Sequence, residues 1–285
     1  MQRDGITSIG IIGAGVVGGA LRDYLASQGR DVRVYDPPKG YHAVEGIATA
    51  DVVFICVPTP YVVGRGFDDT FLHQAIAVVP TPKVIVIKST VLPGTTELLQ
   101  ERHPQHRFLF NPEFLREATA HEDFLRPDRQ IVGHTDRSAA LADTVMALLP
   151  RAPFERTCPA SEAEMAKYMA NCFLALKVIY ANEIADLCER LQIDYDGVRA
   201  IAGADARIGP SHLDVFDGGY RGYGGKCLPK DSKSLLDLAR AAGVELQLLR
   251  AADRVNARLR DQDHVAPPVV LPLVNELIAA AERAA

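Results

Sequence analysis

The surroundings of Cys227 are typical of a nucleophilic thiol. The residue belongs to the run Gly224–Asp231, and Pro229 favours the first turn of a helix, so a helix is expected to begin at Cys227. Lys226 and Lys230 flank it in the sequence. A helix N-terminus and neighbouring cations lower the pKa of a thiol and favour the reactive thiolate. From these neighbours alone, a nucleophilic role and a structural role have about equal weight.

Three further polar residues carry groups that such a nucleophile needs. Asp231 follows Cys227 by four residues, which places both on one face of the expected helix. Lys167 and Asn171 are also four residues apart, in a stretch of helical character. An amine and an amide on one face can stabilise an alkoxide or a tetrahedral oxyanion. Considered by itself, that pair is more typical of a solvated helix surface.

The run Gly13–Gly18 (GAGVVG) has the pattern of a dinucleotide-binding turn. It follows an apolar strand and opens a helix, so its glycines allow a tight turn, close approach of a pyrophosphate and close helix–strand packing. The next strand ends in Asp36, whose carboxylate can accept hydrogen bonds from both ribose hydroxyls and repel a 2′-phosphate. The expected cofactor is therefore NAD, although Arg33 and Lys39 leave NADP open.

Short apolar runs alternate with amphipathic segments over about the first 150 residues. The predicted strands are Ser8–Ile12, Val32–Tyr35, Val52–Val57, Val84–Ile87, Arg107–Phe110 and Gln130–Val132. The predicted helices include Val16–Gln28, Asp69–Val79 and Arg137–Leu149. Continuous apolar strands that alternate with helices predict an α/β fold, a Rossmann-type doubly wound parallel sheet covered on both faces.

After Pro159 the pattern becomes helical. The segment Ser161–Leu191 holds no Pro or Gly and predicts one long helix, with Ser161 as N-cap and Glu164 as its capping-box partner. Its apolar residues extend around more than one stripe. Such a helix must be buried on most sides, which predicts a homodimer formed through it.

The chain is expected to have three parts. They are a Rossmann domain over residues 1–158, an all-α domain over 159–262 and a tail helix over 263–285. The first boundary rests on the change of pattern at Pro159, and the second on the linker Ala266–Pro268.

Composition disfavours several classes of protein. The net charge of −5 argues against a broad nucleic-acid-binding surface. No apolar run approaches the roughly 20 residues that span a bilayer, and no signal peptide precedes the first strand, so we expect a soluble cytoplasmic protein that binds no membrane. The five cysteines are widely spaced and form no C-x-x-C pair, which disfavours disulfides and a metal site.

Seven motifs in one order, between about residues 7 and 260, resemble the UDP-glucose/GDP-mannose dehydrogenase family. They are Gly13–Gly18, Val57–Pro60, Lys88–Val91, Asn111–Glu117, Glu164–Lys167 with Asn171, Arg207–Gly209 and Gly222–Asp231. The resemblance implies an NAD-binding domain, a helical domain whose long helix forms a dimer, and a four-electron oxidation of a primary alcohol to a carboxylate with two NAD. The substrate it implies is a UDP-sugar oxidised at C6, such as UDP-glucose converted to UDP-glucuronate.

The resemblance also implies roles for the chemical groups. Cys227 would capture the intermediate aldehyde as a thiohemiacetal that becomes a thioester. Lys167 and Asn171 resemble a pair that stabilises oxyanions, and Asp231 resembles an acid that supports proton transfers. The implied catalytic residues are Cys227, Lys167, Asn171, Asp231, Glu117 and Thr90, the last two acting on the hydrolytic water.

Two sets of binding residues follow from the same motifs. The cofactor-binding residues implied are Gly13, Gly15, Val16, Val17, Gly18, Asp36, Val57, Pro58, Thr59, Ser89 and Thr90. The substrate-binding residues implied are Phe114, Leu115, Arg116, Glu117, Lys167, Asn171, Arg207, Tyr223 and Gly224. In this family the arginine that Arg207 matches reaches substrate from the neighbouring subunit.

The chain departs from the family pattern at its C-terminal end. About 25 residues follow Arg260, too few for the second Rossmann-like domain that usually grips the nucleotide, so we expect a short form or a fragment. The segment between Arg207 and Cys227 is longer than usual, and Lys226 replaces a small residue. Three alternatives therefore stay open: oxidation of another phosphate-bearing alcohol, a two-electron β-hydroxyacid dehydrogenase, and a catalytically silent NAD sensor or scaffold.

Overall fold

The computed structural model describes residues 6–80 and 82–261, and the chain divides into two compact units between Tyr168 and Met169. The predicted boundary at 158/159 lies ten residues before this division and stays a prediction. The tail helix predicted over 263–285 lies outside the described residues.

The first unit is built on a seven-stranded sheet. Its strands are β1 (Ser8–Ile12), β2 (Asp31–Tyr35), β3 (Val52–Ile55), β6 (Val84–Ile87), β7 (Arg107–Phe110), β8 (Arg129–His134) and β9 (Phe154–Pro159), and a separate hairpin pairs β4 (Tyr61–Val62) with β5 (Gly66–Phe67). The helices are α1 (Val16–Ser27), α2 (Val44–Thr49), α3 (Thr70–Ala77), α4 (Thr95–Arg102), α5 (Ala120–Leu125) and α6 (Ala142–Met146). Short 3₁₀ turns cover Pro37–Lys39, Glu117–Thr119 and Ala139–Leu141.

The strand order β2-β1-β3-β6-β7-β8-β9 creates a switch point between β1 and β3. From β1 the chain first moves to β2 on one side, and then to β3 on the other. Ligands of such sheets bind outside the carboxyl ends of the strands at the switch point. The glycine turn after β1 therefore lies at the edge where a ligand is expected.

Alternation along the strands covers both faces of the sheet. In β3, Val53 and Ile55 contribute to one apolar cluster, whereas Val52 and Phe54 contribute to the other. All four side chains are at most 1% exposed. Two separate cores on one sheet confirm the predicted doubly wound α/β architecture.

The sheet is not wholly parallel, which corrects the prediction. Strand β8 runs antiparallel to β7, with Leu109 opposite His134 and Phe110 opposite Gly133. The connection 111–128 carries a 3₁₀ turn and the short helix α5, and it returns the chain into the sheet at the edge where β7 ends. An apolar run such as Gln130–Val132 indicates a strand but not its direction.

The helix predicted over Arg137–Leu149 is shorter, with a 3₁₀ turn before α6. The cause lies at Ser138, whose hydroxyl donates to the carbonyl of Phe108 at 2.6 Å and accepts from the Thr135 N–H at 2.9 Å. These bonds hold the preceding residues in a turn, because the serine side chain offers the backbone an alternative to helical bonding.

Helix α7 (Ala160–Arg190) confirms the predicted long helix, but its start differs from the prediction. Ser161 lies inside the helix, and its N–H donates to Glu97 Oε1 of α4 at 3.1 Å. Glu164 in turn accepts from the N–H groups of Gly94 and Thr96 at the start of α4, at 2.6 and 2.9 Å. Each helix therefore supplies a glutamate to the N-terminus of the other, an arrangement called here the glutamate exchange. Burial raises the pKa of Glu164 to about 7, against the effect of these hydrogen bonds.

The second unit is helical in its described residues. It consists of the part of α7 after Tyr168 together with α8 (Tyr195–Gly203), α9 (Leu228–Ala241) and α10 (Gln247–Asp261). Its central core joins α7, α10 and the loop before α9, through Ala175, Val178, Ile179, Tyr223 and Ala252. This is the predicted all-α region. Within residues 6–80 and 82–261, no helix is both long enough and apolar enough to cross a membrane.

Candidate active site

The glycine turn after β1 is shaped for close approach of a ligand. Gly13 has φ +92°, and a Cβ there would lie 2.7 Å from the carbonyl oxygen of Cys56. A Cβ on Gly18 would lie 1.9 Å from the carbonyl oxygen of Gly13, so neither position accepts a side chain. A Cβ on Gly15 would meet no atom within 4 Å, and no side chain caps the start of α1 at Val16. The open side of this turn thus presents the first N–H groups of a helix, which suits a pyrophosphate.

Asp36 stands beside the same turn. Its Oδ2 accepts from the Ala14 N–H at 2.7 Å, and the Lys39 ammonium donates to the Ala14 carbonyl. Arg33 is held away by Asp31, with Nη2 to Oδ2 at 2.7 Å. A carboxylate fixed at the end of β2 and an open helix N-terminus fit a dinucleotide that carries free ribose hydroxyls. Gly13, Gly15, Val16, Val17, Gly18 and Asp36, predicted as cofactor residues, are thus brought together.

Two loops follow β3 and β6 at the switch-point edge and are tied to each other. The Thr59 hydroxyl donates to the Thr90 carbonyl at 2.7 Å, and the Ser89 hydroxyl donates to the Val57 carbonyl at 2.6 Å. Both hydroxyls belong to buried residues. The side chains of Thr59 and Ser89 therefore join the loops, and they leave Pro58 exposed and Val57 and Thr90 half-buried.

Lys167 forms a buried ion pair with Glu113. Its Nζ lies 2.8 Å from Glu113 Oε1 and 2.6 Å from the Glu113 carbonyl, and the Lys167 side chain is 4% exposed. Burial acts to raise the pKa of Glu113, but Lys167, the Leu115 N–H and Lys88 together hold that pKa below its usual range. An ionised carboxylate and an ammonium in a dry setting can hold a charged intermediate or order a water.

Sequence reasoning assigned no role to Glu113. The residue stands within the quoted motif Asn111–Glu117, yet its partner Lys167 is 54 residues further along the chain. A carboxylate directly after Asn-Pro in a motif was the available signal. No sequence pattern indicated which lysine it would meet.

The remaining residues of that motif have separate surroundings. The Phe114 ring faces Lys167 Nζ at 5.4 Å and the Arg129 guanidinium at 3.8 Å. Arg116 pairs with Asp123 at 2.8 Å, and that bond, above all, lowers the pKa of Asp123 to about 2. Leu115 packs against the core. Glu117 lies in a 3₁₀ turn, and its side chain is outside what the structure describes.

In the second unit, Cys227 occupies the N-cap position of α9, as predicted, and is exposed. Asp231, one turn later, is 1% exposed; its Oδ2 accepts from Asn171 Nδ2 at 2.6 Å, and its Oδ1 is paired with Lys230. The thiol at the N-terminus of α9 thus lies one helical turn from a carboxylate that is bonded to an amide and to an ammonium group. Helix α7 carries Asn171 and, four residues earlier, Lys167.

The other cysteines have surroundings typical of packing residues. Burial raises the pKa of the Cys172 thiol to about 12 and that of Cys56 to about 12. Cys158 and Cys188 are buried. The structure thus separates Cys227 from the other four thiols by its exposure. Among the described residues, no group of three or more His, Cys, Asp or Glu side chains could hold a metal ion.

Two predicted substrate residues, Tyr223 and Gly224, belong to the loop before α9, and a third, Arg207, follows α8. The Tyr223 side chain is 3% exposed in the core of its unit, so a substrate contact of this residue can involve only its backbone. A Cβ on Gly224 would lie 2.5 Å from the hydroxyl of Tyr220. Arg207 is exposed, with Nε 3.0 Å from Asp205 Oδ1. Its guanidinium is therefore free to change partners at little cost.

Comparison with known proteins places both units in one family. The NAD binding domain of the UDP-glucose/GDP-mannose dehydrogenase family matches residues 39–149, and the central domain of that family matches residues 161–258. The resemblance read from the motifs is thereby confirmed.

Individual relatives agree with the family match. A UDP-glucose 6-dehydrogenase of Pseudomonas aeruginosa is 38% identical over 237 residues, which are 76% of this chain and 51% of that protein. One of Haloferax volcanii is 38% identical over 232 residues, 74% of this chain and 53% of that protein. The structure of a UDP-glucose dehydrogenase from Pyrobaculum islandicum superposes with a TM-score of 0.78 at 30% identity, over 90% of this chain and 69% of that one. The chain spans about half the length of the two curated relatives.

Proposed function

Because this chain belongs to the UDP-glucose/GDP-mannose dehydrogenase family, we propose that it oxidises a primary alcohol to a carboxylate with NAD, by way of a thioester on Cys227. The substrate we propose is a UDP-sugar oxidised at C6, with UDP-glucose as the first candidate. One observation carries the proposal: an exposed thiol at the start of α9 stands one turn before a buried carboxylate that is bonded to Asn171. A two-electron dehydrogenase would need no such nucleophile.

NAD held by the Gly13–Gly18 turn and Asp36 would supply the hydride acceptor for each of the two oxidation steps. After the first, the Cys227 thiolate adds to the carbonyl carbon of the aldehyde, and a C–S bond forms as the C=O π pair becomes an alkoxide. Loss of hydride from that carbon then leaves a thioester. Water adds to the thioester, the C–S bond breaks, and the thiolate departs from the new carboxylic acid, which releases its proton.

The proposed roles of the remaining groups follow from their charges. Asn171 and Lys167 donate hydrogen bonds to the alkoxide and to the tetrahedral oxyanion. Asp231, held by Asn171 and Lys230, exchanges protons with the groups around the sulfur. Glu117 and Thr90 orient the hydrolytic water. The ionised Glu113 fixes the direction of the Lys167 ammonium.

The proposal is tested by NADH release in a substrate screen. The chain is offered UDP-glucose, GDP-mannose, UDP-N-acetylhexosamines and simple sugar or nucleoside phosphates with NAD or NADP. We expect two NADH for each UDP-glucose consumed and a preference for NAD of about 5–150-fold, because Asp36 repels a 2′-phosphate by about 1–3 kcal/mol.

Each alternative has its own outcome in that screen. One NADH per substrate, with a carbonyl product, would favour the two-electron β-hydroxyacid reaction. Turnover with a simple sugar or nucleoside phosphate alone would favour the other phosphate-bearing alcohol. Tight NAD binding with no NADH from any compound would favour the sensor or scaffold. Equal kcat/KM for NAD and NADP would contradict the role of Asp36.

We also propose a homodimer formed through the predicted helix 161–191, with Arg207 reaching the partner's site. An apolar stripe runs along α7 at intervals of four and seven residues, and its members are Met169 (71% exposed), Phe173 (62%), Tyr180 (64%) and Leu187 (54%). Exposed apolar surface of this extent favours association with a second copy. Membrane and nucleic acid are not among the proposed partners.

Light scattering at micromolar concentration tests the dimer. We expect twice the mass of the single chain, and we expect Phe173→Asp to give monomers because a carboxylate in an apolar contact is left without solvent or partner. Phe173→Leu is the control and should stay dimeric. A parent chain that is monomeric under these conditions would contradict the proposal.

We place the chain in the cytoplasm on two grounds. Within the part of the chain that the structure describes, which includes all five cysteines, no disulfide is formed, as is usual in reducing compartments. The proposed reaction also consumes NAD, which the cytoplasm supplies.

A further inference from the structure

Two buried asparagines hold the loop that leads to Cys227. Asn182, on α7, is 0% exposed, and Asn256, on α10, is 7% exposed. The Oδ1 of Asn256 accepts from the Tyr223 N–H at 2.7 Å. The Oδ1 of Asn182 accepts from the Gly222 N–H at 3.3 Å and from Arg221 Nε at 2.9 Å. Three consecutive residues of the loop are therefore bonded to two helices.

The bonds satisfy backbone groups that water cannot reach. Gly222 and Tyr223 are buried, and a buried N–H without an acceptor is costly. Gly222 has φ +74°, and a Cβ there would lie 2.5 Å from Asn256 Oδ1, so the loop approaches that amide more closely than a side chain permits. The Arg221 Nη2 also donates to the Asn182 carbonyl at 2.9 Å. The contact between loop and helices thus depends on an oxygen acceptor at each of these two positions.

Asn182 and Asn256, together with the hydrogen bonds that they accept from the loop, are called the clamp. The clamp holds residues close enough to Cys227 in the chain to affect the position of its thiol. The Tyr223 ring and the Leu228 side chain belong to the same apolar cluster, so the core fixes the residues on both sides of Cys227. Only residues 224–226 lie between the clamped segment and the cysteine. Neither asparagine belongs to the proposed catalytic set.

We propose that Asn182 and Asn256 are positioning residues for the Cys227 thiol, holding the loop 221–223 so that the sulfur stands at the start of α9. The kinetic consequence rests on the proposed function, but the placement of the thiol can be measured without turnover. Release of either bond would let the loop move while the unit keeps its core.

Asn256→Ala tests this inference in the full chain, with Tyr195→Phe as a matched control. The control removes a part-buried hydrogen bond in the same unit, from the tyrosine hydroxyl to the Leu213 carbonyl at 2.8 Å, away from the loop. We expect Asn256→Ala to lower kcat by about 10–100-fold with KM within about threefold of the parent, the effect of misplacing a reacting group. Tyr195→Phe should change both constants by less than about twofold.

A second readout needs no substrate. Cys227 is the exposed thiol, and its alkylation by iodoacetamide at neutral pH is followed by peptide mass spectrometry. In Asn256→Ala that rate should fall by about threefold or more, because thiolate character depends on the helix N-terminus and the flanking lysines. Asn256→Asp keeps the oxygen acceptor and should restore both rates. If Asn256→Ala fails to fold, Arg221→Ala removes the bonds to Asn182 at a part-exposed position and should have the same two effects.

Failure of the inference can be told from failure of the proposed function. Suppose that the parent is active while Asn256→Ala and Arg221→Ala have the same kcat and the same alkylation rate as the Tyr195→Phe control. That result would overturn the positioning role alone. A parent that releases no NADH would overturn the proposed function, and the alkylation rates would still decide whether the clamp places the thiol.

Discussion

Cys227→Ser is expected to stop steady-state NADH production while the first hydride transfer continues. The serine hydroxyl lacks the thiolate's nucleophilicity, and an ester formed on it hydrolyses slowly because an alkoxide is a poorer leaving group than a thiolate. Turnover should fall by about 10³-fold or more, the scale of loss when a covalent nucleophile is removed. A burst of NADH, or a substrate ester on the enzyme by mass spectrometry, should remain.

Two other thiols provide the controls. Cys172→Ser and Cys188→Ser replace buried sulfurs and should change the melting temperature more than the rate. If Cys227→Ser keeps NADH production near the parent rate, the thioester route is wrong. The two-electron β-hydroxyacid reaction would then be the better proposal.

Lys167→Met is expected to lower both the rate of the proposed reaction and the stability of the first unit. The amine proposed to stabilise the oxyanion is lost, which should lower kcat by about 10²–10³-fold. The change also leaves the Glu113 carboxylate, 12% exposed, without its ammonium partner. Because removing one member of a buried pair typically costs about 3–5 kcal/mol, we expect the free energy of unfolding to fall by about that amount, and chemical denaturation would measure it.

The loss of stability in Lys167→Met should increase as the pH rises. In the parent the pKa of Glu113 is lowered, so the pair stabilises the fold above the unfolded pKa and this contribution is lost as the pH falls. In Lys167→Met burial is no longer opposed by that ammonium, so the carboxyl resists ionisation and stability falls as the pH rises. The gap between the two proteins should therefore widen from about pH 4 to about pH 7.

A double variant separates stability from catalysis. Lys167→Met with Glu113→Gln removes both charges and should recover stability to within about 1 kcal/mol of the parent, because a buried pair contributes little net stability. Its kcat should stay as low as that of Lys167→Met alone. A double variant that regains the parent rate would exclude Lys167 from the reaction.

Local patterns predicted those parts of the fold that depend on local rules. The runs Ser8–Ile12 and Val84–Ile87 match their strands to the residue, because continuous apolar strands are typical of a sheet buried on both faces. Pro229 indicated the start of α9, because proline is tolerated in the first turn of a helix and disrupts later turns. The strand Phe154–Pro159 was missed, since its alternating polar residues resemble a loop.

Long-range partners could not be predicted in the same way. Glu164 stands three residues after a serine and satisfied the local rule for a capping box, yet its carboxylate bonds to Gly94 and Thr96, about 70 residues earlier. Glu113 and Lys167, and likewise Asn256 and Tyr223, meet only because the fold brings distant elements together. One sequence holds no record of such pairs, and only the folded structure shows them.

The glutamate exchange limits the positions at which this chain can be joined to the sequence of a relative to make a chimera. A crossover placed after residue 158 would replace Glu164, which accepts from the start of α4, by a residue of the other parent protein. It would also replace the start of α7, to which Glu97 is bonded, by the corresponding segment of that protein. The hydrogen bonds at the starts of α4 and α7 would then depend on the residues that the other protein supplies. A crossover after Tyr168 transfers α4, the opening turns of α7 and Lys167 as one inherited piece. In chimeras that join the first unit of this chain to the helical unit of a relative, the junction should therefore lie inside α7 rather than in the segment before it.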